Sequence, residues 1–437
     1  MRYNLNDSLE WLKGLLRIRS VEDSPLPGCP FGKGVRESLD YSLSLLRKLG
    51  FVTKDLDGYC GYGEIGQGEL FGILAHLDVV PEGEGWSYPP FAAVEEDGKI
   101  YARGAIDDKA PFIASLFAIV KLLQDGYIPK KRARFILGCD EESGWKCIER
   151  YKQTEEMPSL GISPDADFPV INCEKGIVYH TLEMPLPDGI AELCGGQRAN
   201  MVPASAFCKV KYSQHILNNA KATGVDCQIE NGYISLTAKG FSSHGSHPEK
   251  GDNALYKIFY CLKDDYEQIN ELYQAFHTHD GKAVGLDFRD EASGKLTLNL
   301  GVCKIENKKM VCELDIRYPI SYNKDEITDL LNRKLPCKAI RGLYHDPLYI
   351  DEKHPLIQTL LSSYDKVMGN KVPSKPIVIG GGTYARALPV GAAFGPLFPN
   401  MVSTMHEKDE FISLEHYEKL VEIYYQALKE LCFYERK

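Results

Sequence analysis

The sequence has no basic surplus. Its 51 Lys and Arg stand against 61 Asp and Glu, a net charge of −10, whereas nucleic acids and anionic membranes both reward the opposite balance. Nor is there a long apolar run: the longest, residues 111–123, is broken by Lys121 and falls short of the ~20 residues a bilayer requires. No C-x-x-C pair occurs among the 13 cysteines, an odd number scattered from Cys29 to Cys432, and no signal-like apolar run follows Met1. Buried free thiols in a reducing cytoplasm are therefore expected. Fixed-period repeats and low-complexity tracts are missing too. A phosphate loop is excluded, because "IGGGTYAR" at 379–386 lacks the Lys-Ser/Thr ending and the spacing of one. What is left is a small-molecule substrate, with neither nucleic acid nor membrane as partner.

What is present is an ordinary globular composition, 44% hydrophobic and 26% charged, over 437 residues, too long for one typical core. Four segments read as short buried strands: "LFGILA" (70–75), "RFILGC" (134–139), "LGIS" (160–163) and "PIVIG" (376–380). With helices between or beside them they give the rhythm of a mostly parallel sheet covered on both faces. One helix is well marked. It follows Asp107 and Asp108, takes Pro111 in its first turn, runs on Ile113, Leu116, Phe117 and Val120, and stops near Gly126. From about Gly176 the pattern changes to alternating strands, "IVYHTLEM", "YISLTAKG" and a hairpin turning at Asn307 and Lys308. After Tyr349 a helical stretch leads to "PIVIG", expected to rejoin the first half. The expected fold class is α/β: a catalytic domain from 1–176 and 350–437, with a mostly parallel mixed sheet flanked by helices, and an inserted α+β lid domain at 177–349.

The strands of the first domain end in acids or a histidine: His76 and Asp78, then Asp140, Glu141 and Glu142, then Asp165, with Asp107 and Asp108 between them. Ligands of open α/β sheets bind outside the carboxyl ends of the strands. Five or more carboxylates at that edge repel one another unless cations lie among them. Histidine with carboxylate suits zinc, cobalt or manganese, and two such ions can share a bridging carboxylate at about 3.5–4 Å. Asp78 is placed to hold the other ring nitrogen of His76. Singly, each residue has a blander explanation: a core histidine, a helix N-terminal charge in "DEES", an arginine facing solvent at Arg317. The equivalent positions of the histidine and the acids at strand ends favour metal, while for Arg317 the alternative is a bidentate grip on a carboxylate.

"AHLDVVPEGEGW", "YARGAIDDKAP", "GCDEESGW", "SPDADFP", "GGQRANMVP", "GFSSHGSHPEKGDNA", "LDIRYP", "GGGTYARALP", "FGPLFP" and "MHEKDE" resemble, in this order, the di-metal metallopeptidases of the aminoacylase and carnosinase type, clan MH, and within them the bacterial dipeptidase branch of PepV and Sapep. The resemblance implies two divalent ions, zinc first with manganese or cobalt as alternatives. His76 and Asp165 would bind one, Glu142 and His406 the other, and Asp107 would bridge them, followed by a cis peptide bond. It further implies Glu141 as the base acting on a metal-bridging water, Asp78 as the partner of His76, and His244 as a donor to the oxyanion. Asn200 and Arg317 would hold the substrate, with Gly382 and Arg386 as further contacts. Ala75 and Ala110 depart from the glycines common in the family, each by one methyl. The implied activity is hydrolysis of dipeptides with free termini by a catalytically complete monomer. An N-acyl-amino-acid amidohydrolase with the same metal site is the alternative, and retention of Glu141 speaks against a non-catalytic metal-binding protein.

Overall fold

Seven successive residues, Leu70 to His76, are all buried, which a strand permits only when both faces of its sheet are covered. The computed structural model describes residues 2–434. In chain order the strands around this one are β1 (Val52–Leu56), β2 (Cys60–Ile65), β3 (Leu70–His76), β4 (Arg132–Gly138), β5 (Leu160–Ser163) and β6 (Val390–Ala393). They lie side by side as β1-β2-β4-β3-β5-β6. The run β4-β3-β5-β6 is parallel, and β2 and β1 join antiparallel at one side. The sheet is thus mixed but parallel at its centre, with β3, β4 and β5 ending at a common edge.

The helices α1 (Leu5–Leu16), α2 (Lys109–Gln124), α3 (Pro355–Met368) and α4 (Leu414–Cys432) belong to the same unit. α2 packs against α4, α1 and β3, and nearly all its residues are buried. A helix so placed has to be apolar all round, which is why "PFIASLFAIVKLL" looks hydrophobic without a polar face. Its first residue, Lys109, is buried and donates to the carbonyls of Leu15 at 3.2 Å and Ile18 at 3.0 Å, tying its start to the end of α1.

This unit comprises Met1–Asn172, Ile350–Ile377 and Thr383–Lys437; the other comprises Cys173–Tyr349 and Val378–Gly382. The second unit holds an antiparallel sheet whose strands lie in the order 226–230, 233–239, 205–211, 190–195, 297–306, 309–318, 176–185 and 338–345. Burial alternates along Ser205–Lys211 and Tyr233–Lys239, so one face of the sheet packs on its core. Helices Ala254–Leu262 and Glu267–Phe276 supply the opposing apolar side. The hairpin turns at Asn307 and Lys308, with φ of 49° and 61°, the twist-matched two-residue turn that needs positive φ at both positions.

One strand expectation is corrected. "PIVIG" does join the sheet of the first half, through Ile377–Ile379, which pairs with the 171–174 strand, but it is not the buried strand expected, since Val378 is 42% exposed. The strand beside β5 is instead β6, "VGAA". Its small residues carry almost no hydrophobic signal, because the Tyr384–Ala387 turn lies on its backbone and leaves no room for side chains. A Cβ on Gly391 would stand 2.2 Å from the carbonyl oxygen of Ala385.

Among the described residues no helix is long and apolar enough to cross a membrane. All 13 cysteines are free thiols.

The packing of that turn is testable. Gly391→Ala should lower stability by about 1–3 kcal/mol, the usual cost of overpacking a filled site, read as a fall in Tm. An unchanged Tm would show that the turn does not press on β6.

Candidate active site

His76 is the last residue of β3 and is 1% exposed. Its Nδ1 lies 2.9 Å from the backbone carbonyl oxygen of Asp78. A carbonyl only accepts, so Nδ1 carries a hydrogen and Nε2 is the ring nitrogen turned inward. There it meets Asp107 Oδ1 at 2.8 Å and Asp165 Oδ2 at 3.6 Å. The other oxygen of Asp107 is 2.9 Å from His406 Nε2, which is also 3.0 Å from Glu142 Oε1. Asp107 therefore stands between two histidines, one oxygen toward each. The peptide bond from Asp107 to Asp108 is cis, and Asp108 accepts from the backbone N–H of His76 at 3.2 Å.

Two overlapping groups have ligand atoms that all lie within 4.8 Å of one another: His76, Asp107 and Glu142, and His76, Glu141 and Asp165. Burial pushes Asp165 up to about 7, reinforced by the charge of Asp107. Burial likewise raises Glu142, again with Asp107 adding, and raises Glu141 well above the ordinary range despite His76. Asp107 moves the other way: burial opposes its charge, but hydrogen bonds from His406 and His76 outweigh it and hold the carboxyl low. Burial also opposes charge on His406, yet Asp107 and Glu142 push it up to about 11. Protons thus occupy the places between these side chains, and two divalent cations fit the same donor set of imidazole nitrogens and carboxylate oxygens.

The loop after β4 carries three consecutive acids with three different surroundings. Asp140 accepts from the backbone N–H of Gly144 at 2.7 Å and of Lys146 at 2.9 Å, and its carbonyl accepts from Trp145 N–H at 2.8 Å. It closes the loop on itself. Glu141 and Glu142 turn toward His76, and their backbone N–H groups donate to the two oxygens of Asp78 at 3.1 and 3.0 Å. This corrects the contact expected for Asp78. Its carboxylate is 3.7 Å from His76 Nδ1, since its oxygens are engaged by the Glu141 and Glu142 amides while its own carbonyl holds the ring.

Glu410 was not singled out in the sequence, though it ends the "MHEKDE" segment that carries His406. It is fully buried and accepts from Arg103 Nη1 at 2.7 Å and from the backbone N–H groups of Gly104, Ile106 and Asp107 at 3.1, 2.8 and 3.3 Å. One carboxylate thereby fixes the 104–107 loop to the His406 segment. Tyr384 was missed as well: 1% exposed, it sets its ring edge-on to His76 with centroids 6.3 Å apart and its hydroxyl 2.9 Å from Cys147 Sγ. A buried acid next to four donors has no signature in a sequence, nor has a tyrosine after a glycine run.

Within the second unit, Asn200, His244 and Arg317 come together. Gly245 N–H donates to Asn200 O at 2.7 Å, and Met201 pairs with His244. Arg317 is 3% exposed and does not stand open. Its Nε and Nη2 form a bidentate pair with Asp315, both at 2.7 Å, and its Nη1 donates to Gly380 O at 2.8 Å. Tyr179 OH lies 3.4 Å from Nη2. Of the five guanidinium hydrogens, one on Nη1 and the weakly engaged one on Nη2 are left for a ligand. Gly382 lies in the short 378–382 segment of this unit, while Arg386 sits in the Tyr384–Ala387 turn of the first unit.

Residues 72–430 match the peptidase family M20/M25/M40. YtjP of Bacillus subtilis (strain 168), provisionally named a dipeptidase, is 40% identical over 446 residues that cover 95% of this chain and 95% of its own. Among solved structures, an M20 family metallo-carboxypeptidase of Sulfolobus solfataricus superposes with a TM-score of 0.59 at 20% identity, covering 97% of this chain and 98% of that one. Human carnosine dipeptidase 1 does so with a TM-score of 0.58 at 14% identity, covering 98% and 97%. At these identities the two structures show a shared fold.

Two outcomes follow for the metal-free protein titrated with a divalent ion by calorimetry. Binding requires Asp165 and the raised neighbouring groups to give up protons, so affinity should rise with pH up to and through about 7, at up to tenfold per pH unit for each proton released. A pH-independent affinity between pH 6 and 8 (roughly one unit either side of the Asp165 value) would contradict this. Glu410→Gln should weaken affinity by about 10–100-fold, the usual cost of losing an outer support of a metal site. Unaltered affinity would show that the 104–107 loop holds itself.

Proposed function

The chain belongs to the peptidase family M20/M25/M40, and from that premise we propose that it hydrolyses the peptide bond of dipeptides with free amino and carboxyl ends. The observation that carries this reading is a donor set in one cluster, buried at His76 and Asp107 and open at His406, with the carboxyl group of Glu141 within it. His76, Asp107 and Asp165 would hold one ion and Asp107, Glu142 and His406 the other. Zinc, or alternatively manganese or cobalt, would supply Lewis acidity and make a water acidic enough to lose a proton near neutral pH.

Glu141 takes that proton. It would then pass that proton to the leaving amine. The Asp78 carboxylate holds Glu141 in place by accepting from its backbone N–H. His244 is assigned as the donor to the carbonyl oxygen as charge develops there. Asn200 and Arg317 read the terminal carboxylate, with Gly382 and Arg386 as neighbouring contacts. Asp315 keeps the guanidinium planar edge fixed and balances its charge, so recognition rests on directed hydrogen bonds more than on net attraction. Reading the carboxylate one residue past the scissile bond makes the reaction length-selective. The proposal is of a catalytically complete monomer, and the free thiols suit a cytoplasmic setting.

Glu141→Gln should retain both ions by elemental analysis while kcat falls by roughly 10²–10⁴; loss of the ions, or retention of the rate, would reverse the assignment of the adjacent glutamates. On unmodified enzyme, dipeptides should exceed their amides, tripeptides and N-acetyl amino acids in kcat/KM. Preference for the N-acetyl amino acids would establish a deacylase instead. Arg317→Ala should narrow the gap between acid and amide, and equal turnover of both by the unmodified enzyme would remove Arg317 as the reader.

A further inference from the structure

Ser246 follows His244 by two residues in the "SSHGSHP" segment, and it is 8% exposed whereas His244 is exposed. Its Oγ lies 2.7 Å from His244 Nδ1, and its backbone N–H donates to the same nitrogen at 3.2 Å. The hydroxyl alone would leave the ring's tautomer open, because it can give or accept. The backbone N–H cannot accept. Nδ1 is therefore the acceptor, the ring hydrogen lies on Nε2, and the hydroxyl turns to donate as well. We infer that Ser246 is a positioning residue that fixes His244 in the tautomer with hydrogen on Nε2, so that this nitrogen is always presented as a donor.

Ser246 is itself held from two directions. Thr297 Oγ1 donates to its carbonyl at 3.3 Å. On the other side it meets the backbone of Gly380: a Cβ at Gly380 would stand 2.8 Å from Ser246 Cβ. Gly380 is also the residue whose carbonyl accepts from Arg317 Nη1 at 2.8 Å. One glycine thus touches both the support of the histidine and the arginine, which gives the "GGG" stretch a physical role in place of the phosphate loop it superficially resembles. A neutral histidine locked as a donor suits a site where negative charge develops on an oxygen, since no reorientation is needed when the charge appears.

The inference rests on the proposed role of His244 as donor to the reacting oxygen, and the test separates the two. In the full-length enzyme loaded with zinc, nitrogen NMR of labelled histidine should show His244 with an unprotonated Nδ1 and a protonated Nε2. Ser246→Ala removes the hydroxyl donor at 2.7 Å and leaves only the longer backbone N–H at 3.2 Å, so the ring should move part of the way toward a mixture of tautomers and kcat should fall roughly tenfold, part of what a whole oxyanion donor is worth, with KM nearly unchanged. Ser246→Thr, which restores the hydroxyl, should recover both signals. A hydrogen on Nδ1 in the unmodified enzyme would overturn the inference, as would a Ser246→Ala variant whose rate falls while its tautomer does not change. If His244→Ala leaves kcat intact, the role of His244 is wrong, while the tautomer measurement still decides the role of Ser246.

Discussion

Asp107 divides its two oxygens between His76 and His406, and the arrangement of the first unit follows from keeping it there. Its carboxyl is held low although it is buried, while Asp165, Glu141 and Glu142 around it are raised by the same burial and by its charge. A cluster of this kind is unfavourable in a dry interior unless positive charge is distributed through it. The histidines provide some of that charge as protons. Divalent ions would provide it in the form that the proposed chemistry uses.

Holding such a cluster demands scaffolding, and the scaffold is made of more carboxylates. Glu410 gathers three backbone N–H groups and a buried arginine, Asp78 gathers two, and Asp140 gathers two with its side chain. Each accepts from backbone donors that a loop at a strand end would otherwise leave unmet. Neighbouring acids in one short stretch therefore differ in purpose according to whether they face the backbone or the cluster: Asp140 faces the loop, Glu141 and Glu142 the site. The second unit shows the same economy at Arg317, whose fork is shaped by Asp315 before any ligand arrives.

Much of this was legible in the sequence because strand tips are marked by an abrupt change from apolar to acidic residues. His76, Asp107, Glu141, Glu142, Asp165 and His406 could be named from that pattern and from the ordered motifs, and the structure gathers them. The strand β6 could not, because glycine and alanine accommodate a backbone lying on them and carry no hydrophobic signal, while "PIVIG" carries the signal without the burial. The contact of Asp78 was misplaced since spacing cannot say whether a carboxylate or its own carbonyl is nearer the ring. Glu410, Asp315 and Ser246 were invisible for a common reason: each acts on a residue beyond the one it adjoins, through geometry that exists only after folding.

The central claim is that Asp107 is shared between two divalent ions. Anomalous diffraction from crystals grown with manganese tests it most directly. Two peaks are expected, one flanked by His76 and Asp165 and one by Glu142 and His406, with Asp107 touching both. A single peak, or peaks that leave Asp107 uncoordinated while the crystals' protein retains full peptidase activity, would contradict the account.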